Sequence, residues 1–371
     1  MSKKVLMLLS KGYWPDPRVE KEAGALVESG YRVEVLCWDR SRTLPLTQEI
    51  GGIVLRRLRA GFEGRGFLPV AFPIYAIKSA IIASRDDFDI IHCHDFDTLP
   101  QGVLAAALRR KRLVYDAHEH YSLMVRKDAG RLISALLDIL ERRLVPRADL
   151  VIAANQELLD YLRPSLAGDG VVVMNCADVE IFGRGGKIPR TKGSADRIVV
   201  FYGGSLEPQR YIPELLEAVK RDGRVILRIA GKGRYESLVR ETAASCERIV
   251  YVGYVSQEEI LRETATSDVV FSMLDPANEN YRIATPVKVL EAMAVGVPVL
   301  VSRGTDIADL VEREGVGLAL DWSKENFSRA LDRLQDPEVR RAMGERGKAV
   351  AKSRYSWKEM KQRLLDAYSG L

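Results

Sequence analysis

Residues 283–302 read IATPVKVLEAMAVGVPVLVS and specify, in one run, a helix, a tight turn and a core strand. Thr285 carries a side-chain oxygen able to cap free helical amides, and Pro286 is the residue whose missing N–H costs nothing at a first helical position. Together they predict a helix from 286 to about 295. Gly296, with Pro298 behind it, stops that helix, and VPVLV is apolar enough to be a short, fully buried strand.

Val287, Val289, Leu290, Ala292, Met293 and Ala294 make most of the helix circumference apolar, and Lys288 and Glu291 interrupt it on one face, three residues apart. One reading is an ion pair on a solvent-facing strip. The other starts from the place of Lys288 in the first turn, where the helix dipole disfavours a cation unless an anion is bound there by the amides and the ammonium together. On that reading the helix start is a phosphate site, and Glu291, one turn deeper, accepts from hydroxyls.

The same grammar of strand, glycine turn and helix extends through the chain. In the second half, a strand at 198–202 is followed by Gly203 and Gly204 and a helix at 212–221. A strand at 225–230 leads to Gly231 and Gly233, and strands at 248–252 and 269–273 frame a helix at 257–266. In the first half, a strand at 4–9 runs into Lys11 and Gly12, a helix at 17–29 and a strand at 31–37. Further strands are expected at 52–56, 89–92, 112–115, 150–153 and 171–174, with the longest helix at 130–144. The expected fold is α/β, with two Rossmann-like doubly wound domains at 1–181 and 198–355. The segment 182–197, rich in Gly, Lys and Arg, reads as a linker, and an amphipathic helix at 356–371 is expected to pack back across the join. Two such domains place the C-terminal ends of both sheets around one cleft, where ligands of open parallel sheets bind.

The chain has 371 residues, 47% hydrophobic and 29% charged, a soluble globular composition too long for one core at roughly 150 residues per domain. A net charge of +5 is too mild to imply a nucleic-acid partner. Cys37, Cys93, Cys176 and Cys246 form no CxxC pair, which argues against a disulfide framework or a structural zinc and fits a reducing cytoplasm. VLMLLS at 5–10 is too short for a signal peptide, and the longer apolar run at 67–83, broken by Pro69, Pro73 and Lys78, is too short to cross a bilayer. Residues 56–72 set Arg56, Arg57, Arg59 and Arg65 among Phe62, Phe67, Leu68, Val70 and Phe72. They are either a solvated loop leading into a core helix or a peripheral contact with anionic headgroups at the inner face of a membrane.

All four histidines fall in two patches, His92 and His94 in HCHDFD, and His118 and His120 in DAHEHY. With Asp95, Asp116 or Glu119 they could ligate a metal, although two HxH pairs are a far looser pattern than HExxH. They could also cap sheet edges. The third reading, favoured by their place at strand ends, is a site wall in which a neutral imidazole donates to a sugar or phosphate. Gly203 and Gly204, with Arg210 at the mouth of the next helix, would let backbone and guanidinium approach a phosphate.

Taken together, TPVKVLEAMAVGVPVL at 285–300, DAHE at 116–119, DPRVEKEA at 16–23 and GGSLEPQR at 203–210 resemble the retaining glycosyltransferases of family 4, which have the GT-B fold. The resemblance covers essentially the whole chain. It implies a UDP- or GDP-sugar donor held mainly by the second domain, a glycan or lipid-linked acceptor mainly on the first, and no cofactor or divalent metal. It further implies that Lys288 and Arg210 hold the donor pyrophosphate, and that Glu291 binds the ribose hydroxyls. Gly12, Gly203, Gly204 and Thr285 would approach the donor, Tyr254 and Val255 would pack its base, and His118 would stand near the transferred sugar. His94, Asp95 and Glu119 fall on the acceptor side. Two positions depart from the family pattern: Ile283 replaces a usual second glutamate, and Gly204 an arginine common there, so phosphate binding rests more heavily on Arg210 and Lys288. With those cations, and on the expectation that the chain carries no Asp-x-Asp triplet, front-face transfer with retention and without a metal follows. The alternatives are a sugar-nucleotide epimerase of the same fold and a non-catalytic scaffold that binds a nucleotide sugar or glycan.

Overall fold

A computed structural model describes residues 2–13, 16–60, 68–176 and 197–371. The chain divides into unit 1, Met1–Asn175 with Met360–Leu371, and unit 2, Cys176–Glu359. The linker expected at 182–197 lies outside the described residues, Arg197 excepted.

Unit 1 begins with β1 (Lys4–Leu9), α1 (Pro17–Glu28), β2 (Arg32–Trp38), β3 (Thr47–Ile50) and β4 (Ile53–Leu58). It continues with α2 (Leu68–Arg85), β5 (Ile90–His94), α3 (Leu99–Arg109), β6 (Arg112–Ala117), α4 (Tyr121–Leu144), β7 (Leu150–Ala153), α5 (Gln156–Leu162) and β8 (Gly170–Val172). Among the described residues the strands form one sheet in the order β3-β4-β2-β1-β5-β6-β7-β8. Neighbours are parallel except β3 and β4, a hairpin turned at Gly51 and Gly52. The short polar strand β3 is exposed along its whole length, so no burial pattern marks it in the sequence. The helix expected at 130–144 follows a further helical segment that starts at Tyr121, and the two meet at a kink at Gly130, whose φ 83° and ψ 169° are not helical.

The pleat gives this sheet two different faces. Ile91, Cys93, Leu113 and Tyr115 point into an apolar core closed by Ala83 of α2, Ala105 of α3, Leu137 of α4 and Leu158 of α5. His92, His94 and Asp116 alternate with them and face α1 and residues 360–371, through Arg18, Glu22 and Tyr368.

Unit 2 runs β9 (Ile198–Gly203), α6 (Ile212–Arg221), β10 (Val225–Ala230), α7 (Glu236–Ser245), β11 (Ile249–Gly253), α8 (Gln257–Thr266) and β12 (Val269–Ser272). After a single helical turn, α9 (Glu279–Arg282), come α10 (Val287–Val295), β13 (Val299–Ser302), α11 (Asp306–Glu314), β14 (Gly317–Leu320), α12 (Lys324–Leu334) and α13 (Pro337–Arg354); the last helix, α14 (Trp357–Ser369), belongs from Met360 onward to unit 1. The second sheet is parallel, in the order β11-β10-β9-β12-β13-β14. Both sheets are therefore doubly wound and Rossmann-like, as the repeated strand, turn and helix pattern predicts. The stretch 303–354, which no motif announces, supplies Leu320, Phe327, Leu331, Leu334 and Met343 to the core of unit 2.

The decisive stretch folds as a helix, turn and core strand, with one correction. Thr285 makes no capping bond; the N-cap is Pro286, at ψ 123°. Because Pro286 is itself extended, the helix starts at Val287, so Thr285 falls one position too early and the first amides of α10 have no side-chain cap. At the other end Gly296 closes the helix in the left-handed region, φ 77°. The long helix α13 packs along α10. A Cβ on Gly344 would stand 2.2 Å from the Gly296 carbonyl oxygen, so the two helices approach as only glycine permits.

Candidate active site

In unit 2, the turns after β9, β10 and β11 are laced together. Gly204 N–H donates to the Ala230 carbonyl (3.0 Å), Leu206 N–H to Lys232 (2.8 Å) and Gly231 N–H to Gly253 (2.8 Å). Lys288, half-buried in the first turn of α10, reaches these turns, its Nζ 4.0 Å from the centre of the Tyr202 ring. A Cβ on Gly204 would meet that Nζ at 2.8 Å, and Gly204 has φ 148°. A side chain here would face both an unsuitable backbone and an occupied space, which accounts for glycine where an arginine was expected.

Arg210 lies in the same place. Its Cζ is 5.1 Å from the Tyr281 ring centre, and its buried Nε has no hydrogen-bond partner among the described residues. Enclosure, followed by repulsion from Arg210, lowers the Lys288 ammonium to about 7. One turn deeper, buried Glu291 accepts from Gln257 Nε2. At the next strand end Tyr254 is 63% exposed, with Lys232 Nζ 4.5 Å over its ring and Val255 half-buried behind it. Gly203, Gly204, Arg210 and Lys288 thus converge, while Thr285 stands half-buried just ahead of the helix.

Unit 1 holds a second polar cluster, centred on Asp116. Arg18 binds both carboxylate oxygens, Nε at 2.8 Å and Nη2 at 2.5 Å, and gives Nη1 to the Val173 carbonyl. His94 Nδ1 is 3.1 Å and His118 Nε2 2.8 Å from Asp116 Oδ2. On the other side of the ring, His118 Nδ1 is 3.3 Å from Asp95 Oδ2. Asp95 is held at φ 62° and accepts the His118 backbone N–H at 3.0 Å. Burial opposes charge on His118, but the Asp95 and Asp116 carboxylates overcome it and raise the imidazole to about 9. The expected neutral imidazole is therefore corrected to an imidazolium held between two carboxylates.

His94, expected on the acceptor side, is also corrected. β5 continues past the expected end at 92, and α1 covers this face, so His92 and His94 are buried and burial keeps both neutral. Asp95 is half-buried, Glu119 is exposed beyond β6, and Gly12 is exposed beyond β1. His120 packs instead on the Tyr161 ring, centroids 3.8 Å apart.

Glu22, His92, His94 and Asp116 bring ligand atoms within 4.8 Å of one another, a spacing a metal ion could use. Arg18 already stands among them, 3.2 Å from Glu22 as well as bound to Asp116, so the centre carries a cation of its own. The chain also has two Asp-x-Asp triplets, Asp87-Phe88-Asp89 and Asp95-Phe96-Asp97, both in unit 1, so an absence of such triplets is no part of the metal question. In the second, Asp97 is enclosed and bound by Ser10, and burial raises it to about 7.

Arg18 and Glu22 fall within DPRVEKEA at 16–23, which gave neither a role, although a signal exists: they lie on the same helical stripe as Val19, Ala23 and Leu26, where only a paired charge is tolerated. Tyr202, Gln257 and Tyr281 carry no such signal. The basic stretch is largely spent on internal contacts. Arg57 is buried on the Pro45 carbonyl and Gln48, both at 2.8 Å, Arg56 pairs with Glu34 (2.7 Å) and Asp86, and Arg59 binds the Leu44 carbonyl (2.7 Å). Residues 61–67 of that stretch lie outside the described residues.

Two family models match side by side: a glycosyl transferase 4-like domain over residues 15–176 and glycosyl transferases group 1 over 187–350. The D-inositol 3-phosphate glycosyltransferase of Saccharomonospora viridis is 27% identical, across 94% of this chain and 87% of that protein. A GDP-mannose-dependent monoacylated α-(1-6)-phosphatidylinositol monomannoside mannosyltransferase of Corynebacterium glutamicum is 27% identical across 41% of this chain and 40% of its own. Among solved structures, the sucrose-phosphate synthase of Thermosynechococcus elongatus superposes with a TM-score of 0.79 over 99% of both chains, at 19% identity. HepE of Anabaena, in complex with UDP and glucose, gives 0.72 over 99% of this chain and 100% of that one, also at 19% identity.

Proposed function

Because this chain belongs to the glycosyltransferases of the family 4 type, with the GT-B fold, we propose that it moves a sugar from a UDP- or GDP-sugar to a hydroxyl of a glycan or lipid-linked acceptor, with retention and without a metal. The observation that carries this reading is the crowding of Lys288 and Arg210 beside the glycine turn of unit 2, where burial and the neighbouring guanidinium disfavour the Lys288 ammonium and Arg210 Nε has no hydrogen-bond partner among the described residues.

In the transfer, the bond from the anomeric carbon to the β-phosphate oxygen breaks and the acceptor oxygen bonds to the same face of that carbon. The departing phosphate takes the acceptor proton. Negative charge grows on the phosphate, where Lys288 and Arg210 meet it; fixed cations in a water-poor site typically contribute a few kcal/mol to such a step. The uncapped amides of α10 add donors, and the turn at Gly203 and Gly204 lets a phosphate approach without side-chain bulk. Glu291, oriented by Gln257, accepts from the ribose hydroxyls, and the exposed Tyr254 ring packs the base beside Val255. His118, already protonated, is no base; its role is to orient the sugar, with Asp95 and Glu119 on the acceptor side. The inositol phosphate and lipid acceptors in the relatives' names support an alcohol acceptor.

Incubation with a panel of UDP- and GDP-sugars and candidate acceptors in EDTA, with the product anomer read by NMR, tests this. Activity restored only by Mg²⁺ or Mn²⁺, or an inverted anomer, overturns the mechanism; no nucleotide release from any donor overturns the function.

A further inference from the structure

The second half of α4 presents to solvent a stripe of large apolar side chains. Leu132, Ile133, Leu136, Ile139 and Leu140 recur at helical spacing and are all exposed, Leu132 by 89%. The opposite side of the same helix is docked: Ser134 is buried and donates to the Ser122 carbonyl, Leu137 packs on the core, and Glu141 is buried under Tyr115. The neighbouring helix α3, which packs on α4, adds exposed Leu104 and Leu108. A surface of this kind on a folded unit marks a contact yet to be made.

The charges around it choose the partner. The exposed charged residues described on α3, its cap and α4 are Arg109, Arg110, Arg131 and Arg143, against a single acid, Asp128. A second copy meeting this face about a two-fold axis would bring the same excess of cations against itself. Anionic lipid headgroups would neutralise the cations while the leucine and isoleucine side chains enter the acyl boundary.

We propose that α3 and the second half of α4 form a membrane-docking face of unit 1, selective for anionic lipid. It is a different surface from residues 56–72, where Arg56, Arg57 and Arg59 are engaged within the protein and 61–67 lie outside the described residues. It goes beyond the transfer reaction and does not depend on it, because a chain with no turnover would still bind vesicles.

Sedimentation of the full chain with vesicles of equal parts phosphatidylglycerol and phosphatidylcholine tests it, with pure phosphatidylcholine as control. Binding is expected to the mixed vesicles only, falling on the order of tenfold between 0.1 and 0.5 M salt. The double variant Leu132→Glu, Leu136→Glu should lose binding at least tenfold with an unchanged melting temperature. An environment-sensitive dye on Leu136→Cys gives an independent reading, because its emission should shift to the blue with the mixed vesicles alone. Absence of vesicle binding, binding unaffected by the double variant, or no dye shift overturns the proposal. So does a dimer in solution that the double variant converts to monomer, which would assign the face to a second copy.

Discussion

The Lys288 ammonium lies 4.0 Å from the centre of the Tyr202 ring, an aromatic face serving in place of water as its neighbour. With the free amine at about 7, most of it is neutral at pH 8. A bound diphosphate favours the ammonium, so the site's affinity is complete below about pH 7 and weakens toward tenfold per unit above it, until the higher value of the complex is reached. Calorimetry of UDP and GDP binding at pH 8, in buffers of different ionisation enthalpy, should show uptake approaching one proton, and at pH 6 almost none. Lys288→Ala should abolish the uptake and lower kcat by about a hundredfold or more. Unchanged uptake in that variant would remove Lys288 from the phosphate site.

Gly204 is expected to tolerate no side chain. Gly204→Ala should raise the donor KM by about tenfold, reflecting roughly 1–3 kcal/mol of backbone strain together with displacement of Lys288. Gly204→Arg, the residue common in the family, should do worse. A Gly204→Arg enzyme with wild-type KM would show that the turn can adopt another conformation at no cost.

Imidazole charge on His118 ties the stability of unit 1 to pH. Its folded value, about 9, lies above the usual 6.5. Its contribution is therefore complete below about pH 6.5 and is lost as pH rises toward 9, a change of a few kcal/mol. Burial also raises Glu22 to about 8, against the pull of Arg18, and an acid so raised loses stability over an overlapping range. Melting curves from pH 6 to 10 should decline through this window, and His118→Gln should flatten the decline. Parallel curves for the two proteins would contradict the assignment.

Gly344 is expected to matter to a donor it never touches. Gly344→Ala places a methyl group 2.2 Å from the Gly296 carbonyl oxygen. The helices must part, at about 1–3 kcal/mol for overpacking of this kind. Since α10 carries Lys288 and Glu291, a lower melting temperature should come with a higher donor KM. A stability loss with unaltered KM would mean that the seam bends without moving the site.

What the sequence makes legible follows from periodicity and turn chemistry. Gly203, Gly204 and Lys288 can be located because strand ends, glycine turns and helix starts have local signatures. The cluster around Asp116 is legible only in part: His94, Asp116 and His118 stand out at strand ends, but the register that sets His94 beside Asp116 and the packing of α1 that brings in Arg18 have no local pattern. His94 illustrates the limit. One additional pleat of strand moves it from an expected site wall to a buried position under α1. The cap at Thr285 is missing because Pro286 takes an extended ψ of 123° where the first helical residue is expected, a choice that the Thr-Pro pair alone does not decide.

Residues 360–371 complete a sheet whose strands are all encoded before residue 176. Tyr368 contacts His92 Nδ1 at 2.6 Å and crosses Tyr31 edge to face, while Met360 sulfur accepts the Met174 amide. On the ribosome, the first unit therefore emerges with His92 and the Glu22 carboxyl lacking this cover, and keeps that gap until the whole of the second unit has been translated. Nascent unit 1 should be the more vulnerable partner during synthesis, and its final closure a late event that reports, in effect, that the second unit has been made.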